Sequence, residues 1–498
     1  MPVTRPRDKS SRWEPAHAHR TRRIPRLGPA ADSPRPATTS RFLASASLAL
    51  TSTALSLLTL VSLLTLAACT GATPPASDSP GATPAAEAPA PAGLAQARAA
   101  EQTRKIMEAV AKARALPVTG KVGVEVMQRA EIRDFAKTAM YEHHSREQIR
   151  MFTRIESAMG VLPLGADGEA ILLDMLEVGV MGLYEPKKKT LFIGTHVSDG
   201  QLDMVVGHEI AHGLQDMHFG LERLQQPIRG DSDAEAARTY LVEGDAQAAY
   251  LAWVSGAAGL ASISPEVMLV TGNQALDLAD LVDYPVLARS LQLPYADGAM
   301  TIAALVRAQG WPAVDALYSA LPTTTEQMLH LDKLLAREAA VAVVADPAAL
   351  AAQLPGQRVV WQDNLGEASL LTMLADVEPA PVARAAAAGW GGDRYLALER
   401  DPAGAAPLIV GLIAWDSEAD AEEFAATFRL YLEKAMPDAF ILQRRGDQLR
   451  FAAQVRDAAT RDALATHAWS AFTVAGKPAG TRITSKLAAS PTPGRGAS

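Results

Sequence analysis

Apolar residues recur every three or four positions along most of the chain between residue 94 and about residue 345. This is the period of an amphipathic helix, and it predicts a mainly helical region. The helices that it predicts before residue 180 cover 94–116, 129–140, 145–159 and 168–178. From Asp199 onward helical periods dominate again. We therefore expect the region 94–350 to form one domain built largely of packed helices.

Short apolar runs at 180–184 and 190–193 predict two strands, and 121–127 alternates like a third. The sequence EPKKK at 185–189 joins the first two runs, and a proline followed by three lysines is typical of an exposed turn. The helical region should therefore contain a small sheet with a hairpin whose tip is basic.

A different pattern begins near Gly356, where runs of strand and helix character alternate. The strands predicted there are 393–399, 408–415, 438–443 and 448–454, and the helices are 417–435 and 457–468. This alternation predicts a separate and smaller α+β domain over 356–485. The last residues, 486–498, are expected to be a disordered tail.

The first 68 residues have the layout of an export signal. Residues 1–42 are rich in Arg, Pro and Ser, and an uncharged, largely apolar stretch follows them. That stretch ends in LAAC at 66–69, which resembles a bacterial lipobox, and Cys69 is the only cysteine of the chain. We expect 1–68 to be a leader and Cys69 to carry a lipid anchor. One uncleaved membrane-spanning helix is the alternative.

Either anchor places the body outside the cytoplasm, on the periplasmic side of the bacterial membrane or at the cell surface. Residues 69–93 are rich in Ala, Pro, Ser and Thr, so we expect a disordered tether there. One cysteine excludes an internal disulfide framework and a multi-cysteine metal site.

The charge of the chain excludes one large class of partners. The formal net charge is −8, but the leader carries ten Lys and Arg against three Asp and Glu, so the remainder carries 37 against 52. Nucleic-acid binding needs basic surface that neutralises phosphates. A body this acidic is therefore not expected to bind nucleic acid.

The segment VVGHEIAHGLQDMHF contains the pattern His208-Glu209-x-x-His212. Residues four apart lie on the same face of a helix, so both imidazoles can reach one metal ion. Glu209 then lies beside the metal, where it can act as a base toward water. Zinc suits this arrangement of two ligand histidines and a neighbouring base. It takes two neutral nitrogens and one further ligand and keeps a fourth position open for water.

The third ligand should come from another helix. The apolar helical run TYLVEGDAQAAYLAW offers Glu243, whose burial would be costly without a positive partner. Glu235 is the competitor, although a solvated carboxylate in a first helical turn explains it equally well. His196 and His218 lack suitable helical spacing and are expected to be structural.

The HExxH pattern followed by a helical glutamate resembles the gluzincin group of zinc metallopeptidases. The chain more closely resembles an uncharacterised family of bacterial exported HExxH proteins, through motifs spread over most of 100–430. These motifs are GLYEP (182–186), HEIAHGLQDMHF (208–219), LVEGDA (241–246), LPYADG (293–298), PTTTEQMLH (322–330), DNLGE (363–367) and GWGGDR (389–394).

The resemblance implies an α+β fold in which a mainly helical, zincin-like metallopeptidase domain precedes the smaller C-terminal domain. Many gluzincins carry an Asp four residues after the ligand Glu, where it holds the first histidine. Here that position is Gln247, while Asp245 lies on a different helical face.

Further candidates follow from the same motifs. Tyr295 and His330 lie in family-like motifs and are candidates to stabilise a developing oxyanion, although packing explains Tyr295 and a surface position explains His330. The run 190–193 resembles the edge strand on which such peptidases bind substrate, or it is an ordinary core strand. Asp216 is expected to be solvated.

These observations predict a membrane-tethered zinc endopeptidase with Zn²⁺ on His208, His212 and Glu243. Glu209 would be its general base, and peptide or protein chains would be its substrates. An interaction lipoprotein with a non-catalytic zinc site is the alternative from another class. A zinc hydrolase of a non-peptide amide is the third.

Overall fold

The computed structural model describes residues 92–274, 283–400, 404 and 406–476. The predicted leader, Cys69, the tail and nearly all of the tether lie outside these residues. Only Ala92 and Gly93 of the predicted tether are described, and they begin the first helix. Among the described helices, none combines the length and the apolar character that crossing a membrane requires.

The described chain is α+β, as the sequence predicts. Its helices, in chain order, are α1 (Ala92–Arg114), α2 (Arg129–His143), α3 (Arg146–Met159), α4 (Gly168–Gly179), α5 (Asp199–Phe219), α6 (Ser232–Val254), α7 (Pro265–Gln274), α8 (Pro285–Leu293), α9 (Ala299–Gln309), α10 (Trp311–Ser319), α11 (Thr325–Leu329), α12 (Leu331–Ala336), α13 (Pro347–Gln353), α14 (Gly366–Leu374), α15 (Ala380–Ala387), α16 (Glu418–Ala435) and α17 (Ala458–His467). Its strands are β1 (Gly123–Met127), β2 (Gly182–Glu185), β3 (Thr190–Gly194), β4 (Val343–Ala345), β5 (Gln357–Asp363), β6 (Trp390–Arg400), β7 (Leu408–Trp415), β8 (Phe440–Arg445), β9 (Gln448–Ala453) and β10 (Phe472–Val474).

The small sheet has the order β1-β3-β2, with β3 parallel to β1 and antiparallel to β2. The idea that 190–193 is an edge strand is therefore wrong, because β3 has a hydrogen-bonded neighbour on each side. β2 is an edge of this sheet, and it lies against α5. A Cβ on Gly182 would lie 3.2 Å from the Glu209 Cγ.

Helices α5 and α6 form the centre of the helical region. α5 follows Ser198, whose N–H donates to the Gln201 side chain, and it ends at Gly220, which has a left-handed φ of 68°. Residues 205–216 of α5 are all buried, as is most of α6. A helix that is buried on every face lies in the core, and polar groups on it need partners inside the protein.

The C-terminal region contains an antiparallel five-stranded sheet in the order β5-β6-β7-β9-β8. Helices α14, α15 and α16 cover one face with an apolar core, to which Phe152 and Ile155 of α3 also contribute. On the opposite face a smaller core joins α13, α17 and the β4–β10 pair.

Many contacts cross the predicted boundary near residue 356, including two that involve strands of the C-terminal region. Strand β4, on its N-terminal side, pairs with β10, and Arg394 on β6 donates to the carbonyl oxygen of Gly230. All described residues fall in one compact unit. The division into domains 94–350 and 356–485 stays a prediction.

Candidate metal centre

Three side chains from α5 and α6 converge on one point. The Nε2 atoms of His208 and His212 are 3.0 Å apart, and the Glu243 Oε2 lies 3.3 Å from the first and 3.4 Å from the second. In a tetrahedral zinc site with bonds of about 2.0–2.1 Å, ligand atoms stand about 3.3–3.4 Å apart. The three atoms therefore lie close to the spacing that a metal ion would impose.

The close approach of α6 to its neighbours depends on two glycines. Gly244, next to Glu243, faces Gly298 in the single π-helical turn Pro294–Gly298, and a Cβ on either residue would overlap the backbone of the other segment. This contact places Tyr295 beside the site, with its ring centre 5.8 Å from that of His208.

The hydrogen bonds behind His212 identify the nitrogen that carries its proton. The Gln215 Nε2 donates to the Val242 carbonyl oxygen (2.9 Å) and to the Asp245 Oδ2 (3.0 Å), so the Gln215 Oε1 faces the His212 Nδ1 at 2.9 Å. An amide oxygen only accepts, so Nδ1 must be the protonated nitrogen of the neutral ring. The lone pair of Nε2 then points toward Glu243.

His208 has a similar arrangement. Its Nδ1 lies 3.3 Å from the Gln247 Oε1, at the position where many gluzincins have an aspartate. Each histidine thus has an amide oxygen behind it. With both rings neutral, two lone pairs and a carboxylate face one another in a buried space, and that arrangement is repulsive unless a metal ion or a proton on one ring lies between them.

Asp245 completes the arrangement although it does not touch a histidine. Its carboxylate accepts from the Arg114 Nε at 2.5 Å and from the Tyr318 hydroxyl at 2.8 Å, as well as from Gln215. Arg114 also donates to Asp315 at 2.7 Å. A relay of hydrogen bonds therefore runs from His212 through Gln215 and Asp245 to a buried arginine on α1.

The ionisation of the metal-free site follows from burial. Burial lowers the pKa of His208 to about 4 and raises that of Glu209 to about 8. Burial also opposes charge on His212, but Glu243 outweighs it and raises the pKa of His212 to about 9. Without a metal, a proton on His212 is thus the positive charge that the Glu243 carboxylate faces.

Two carboxylate oxygens of this site have no hydrogen-bond partner among the described residues. These atoms are the Glu243 Oε1 and the Glu209 Oε2. Glu209 also receives a hydrogen bond from the backbone N–H of Tyr184 on β2. Such orphaned acceptors in a buried site fit a positively charged ligand, so the residues present fit a metal ion of the kind that N₂O sites hold.

The structure separates the other candidates from this centre. Glu235 is buried rather than solvated and accepts from the Ile228 N–H, so it does not join the histidines. Asp216, expected to be solvated, is also buried, and it accepts from the Tyr184 hydroxyl at 2.9 Å and from the Lys189 Nζ at 2.5 Å.

His330 is half-buried at the junction of α11 and α12, and its described partner is Glu367, at 2.7 Å from Nε2. The pattern Thr324-x-x-Gln327 before it is typical of a capping box, but only half of that box forms. Thr324 accepts from the Gln327 N–H, but the Gln327 side chain accepts from the Thr323 N–H instead of that of Thr324. An oxyanion-stabilising role for Tyr295 or His330 stays a prediction.

Sequence reasoning missed Gln215 and Arg114. Gln215 lies three residues after His212, and i,i+3 neighbours share a helical face, so the spacing alone could have suggested it. Arg114 gave no comparable signal because it is 131 residues from Asp245.

Comparison with known proteins adds one match. Residues 356–478 match a family described as a domain of unknown function (DUF8575). No curated protein and no solved structure matches the chain significantly.

Proposed function

We propose that this protein is a zinc-dependent peptidase, similar in its metal centre to the gluzincins. The observation that carries the proposal is the convergence of the His208, His212 and Glu243 ligand atoms, with the unpartnered Oε2 of Glu209 on the adjacent position of α5. Within the described residues, the metal-ligating group around this point comprises those three side chains. A fourth position would then remain for water or substrate.

Zinc bound to these atoms would polarise a substrate carbonyl and make water more acidic. Glu209 would take a proton from the attacking water and pass it to the leaving amine. Burial favours the protonated form of Glu209 in the metal-free site, whereas a bound cation would favour the carboxylate form that accepts a proton. The Tyr184 N–H would hold the Glu209 carboxylate in place through both steps.

We further propose that the peptidase acts outside the cytoplasm and is tethered through lipidated Cys69. This rests on the order of the basic segment, the apolar segment and LAAC in the sequence. Replacing Cys69 by Ser should release the protein from the membrane fraction. A Cys69→Ser variant that stays membrane-bound would favour the uncleaved helix.

One observation favours an interaction protein with a non-catalytic zinc site. His208 and Glu243 are fully buried, and His212 is 8% exposed. A peptide must reach the metal, whereas a structural zinc needs no access. This alternative predicts tight zinc binding without hydrolysis.

The test is cleavage of a mixed peptide library by the full-length protein with zinc. Glu209→Gln should retain zinc and lose about 10²–10⁴-fold in rate. Glu222→Gln, which changes an exposed glutamate just beyond α5, should leave the rate unchanged. Unaltered cleavage in Glu209→Gln would contradict the mechanism. Zinc without cleavage in the unmodified protein would favour the interaction protein or a non-peptide substrate.

A further inference from the structure

Arg450 on β9 is a buried cation without an acidic partner among the residues that the structure describes. It is 1% exposed, and its Nη2 donates to the Gln443 Oε1 on neighbouring strand β8. Its Nη1 is buried and has no hydrogen-bond partner among the described residues. Burial and the nearby Arg445, rather than a carboxylate, set its electrostatic surroundings. An arginine in this state is costly because burial removes its hydration without replacing it.

Arg114 provides an internal reference for that cost. It is also 1% exposed and stacks on a tryptophan, Trp311, at 4.5 Å. Burial opposes its charge, but Asp245 outweighs burial and the pKa of Arg114 is raised. In contrast, burial and the nearby Arg445 lower the pKa of Arg450 to about 10. Arg114 therefore has a neighbouring carboxylate, whereas Arg450 has none among the described residues.

The surroundings of Arg450 are suited to recognising an anion. The Trp469 ring lies 4.4 Å from the Arg445 guanidinium and 5.1 Å from that of Arg450. The Trp469 Nε1 donates to the Gln443 Oε1 at 3.2 Å, so Gln443 joins the tryptophan to the buried arginine. Trp469 is only partly buried, and Arg445 is exposed, which leaves a side from which a ligand can approach.

Gln443 also lines a groove of about 640 Å³ that follows β8, the outer strand of the sheet. Arg429 and Arg461 lie on its walls, and Asp438 is the acidic residue among its lining. The Arg461 guanidinium is occupied by backbone carbonyl oxygens, including that of Phe440 at 3.1 Å.

We propose that Arg450, Arg445 and Gln443 form an oxyanion-binding site for a ligand that carries a carboxylate or a phosphate group. The buried Nη1 of Arg450 supplies the free donor, and a planar guanidinium matches the oxygens of either group. Trp469 covers the site and must turn aside for the ligand to reach Arg450. This site is independent of the metal centre and of the proposed peptidase activity.

The test is unfolding of the full-length protein in acetate or in inorganic phosphate, against chloride at equal ionic strength. At least one oxyanion should stabilise the protein saturably over chloride. Arg450→Met should abolish that increment, whereas Arg444→Met should keep it. Arg444→Met is the surface control, because it removes the same charge one position before Arg445.

Arg445→Met serves if Arg450→Met does not fold, since Arg445 is exposed, and it should weaken apparent affinity about tenfold. Stabilisation by phosphate alone would identify a phosphate ligand, and stabilisation by acetate alone a carboxylate. Either result supports the site if Arg450→Met or Arg445→Met removes the stabilisation by that oxyanion. No oxyanion-specific stabilisation, or an increment that both variants retain, would overturn the proposal.

Discussion

The helix pair α5–α6 and the C-terminal sheet both contain buried polar atoms without partners, but the missing charge has opposite sign. In the helix pair the orphaned atoms include carboxylate oxygens of Glu209 and Glu243, which a cation would satisfy. In the sheet the orphaned atom of a charged group, among the described residues, is the Arg450 Nη1, which an anion would satisfy. Unsatisfied buried groups thus indicate the chemistry of a ligand in a region that carries no recognisable motif.

The comparison also separates neutralised charge from charge left without a partner. The charge of Arg114, behind the metal centre, is compensated by the carboxylates of Asp245 and Asp315. Arg450 has no carboxylate beside it among the described residues. Four changes can test this difference, beginning with the largest.

Replacing Asp245 by Ala should cost about 3–5 kcal/mol in the free energy of unfolding, because it leaves a buried guanidinium without its main partner. Asp315→Ala is the matched control, since Asp315 contacts the same arginine but its side chain is 34% exposed. Its loss should cost about 1 kcal/mol or less. Chemical denaturation measures both, and equal costs would show that burial does not set the difference.

Removing the metal should give the next largest effect. Zinc at a thousand times its dissociation constant stabilises a folded protein by about 4 kcal/mol. We expect this gain in the unmodified protein and in Arg450→Met, and most of it should disappear in Glu243→Ala. Thermal unfolding with zinc and with a chelator measures the gain. A zinc effect that depended on Arg450 would show that the two regions are not independent.

Gln215→Leu should lower zinc affinity about 10–100-fold, because the His212 Nδ1 loses the acceptor that fixes its tautomer. Competition with a chromogenic chelator measures this affinity without reference to activity. Gln226→Leu, at an exposed position beyond α5, should leave it unchanged. Unchanged affinity in Gln215→Leu would mean that the relay to Arg114 does not support the metal centre.

The smallest effect is expected where the helical region meets the C-terminal region. Thr324 caps α11, and the hydroxyl of Thr325, the first residue of that helix, accepts from the Ala368 N–H on α14. Thr324→Ala should cost about 1 kcal/mol, the usual value of a lost helix cap. A loss above about 3 kcal/mol in denaturant unfolding would show that this cap controls the contact between the regions.

Local rules predicted much of the helical region and the main site residues. The helical spacing of His208 and His212 follows from the sequence alone, and so does the cost of burying Glu243. The strands of the central hairpin were also found, because alternation is a local signal. Their order in the sheet was not, because the pairing of β3 with β1 depends on residues more than 60 positions apart.

Long-range partners explain the remaining errors. Asp216 and Glu235 appeared to be solvated carboxylates, yet Tyr184, Lys189 and the Ile228 N–H pair with them in the folded chain. Strand β5 and helices α14 and α15 were missed. Every residue of α14 is buried, which removes the apolar–polar alternation that identifies an amphipathic helix. Arg450 likewise occupies an ordinary strand pattern.

Zinc content of the purified full-length protein tests the central claim most directly. The account predicts one zinc ion per chain, retained in Glu235→Gln and lost or greatly weakened in Glu243→Ala. Both variants alter a buried glutamate of α6, but only Glu243 lies with the two histidines. No bound zinc, or zinc that Glu243→Ala retains at full affinity, would contradict it.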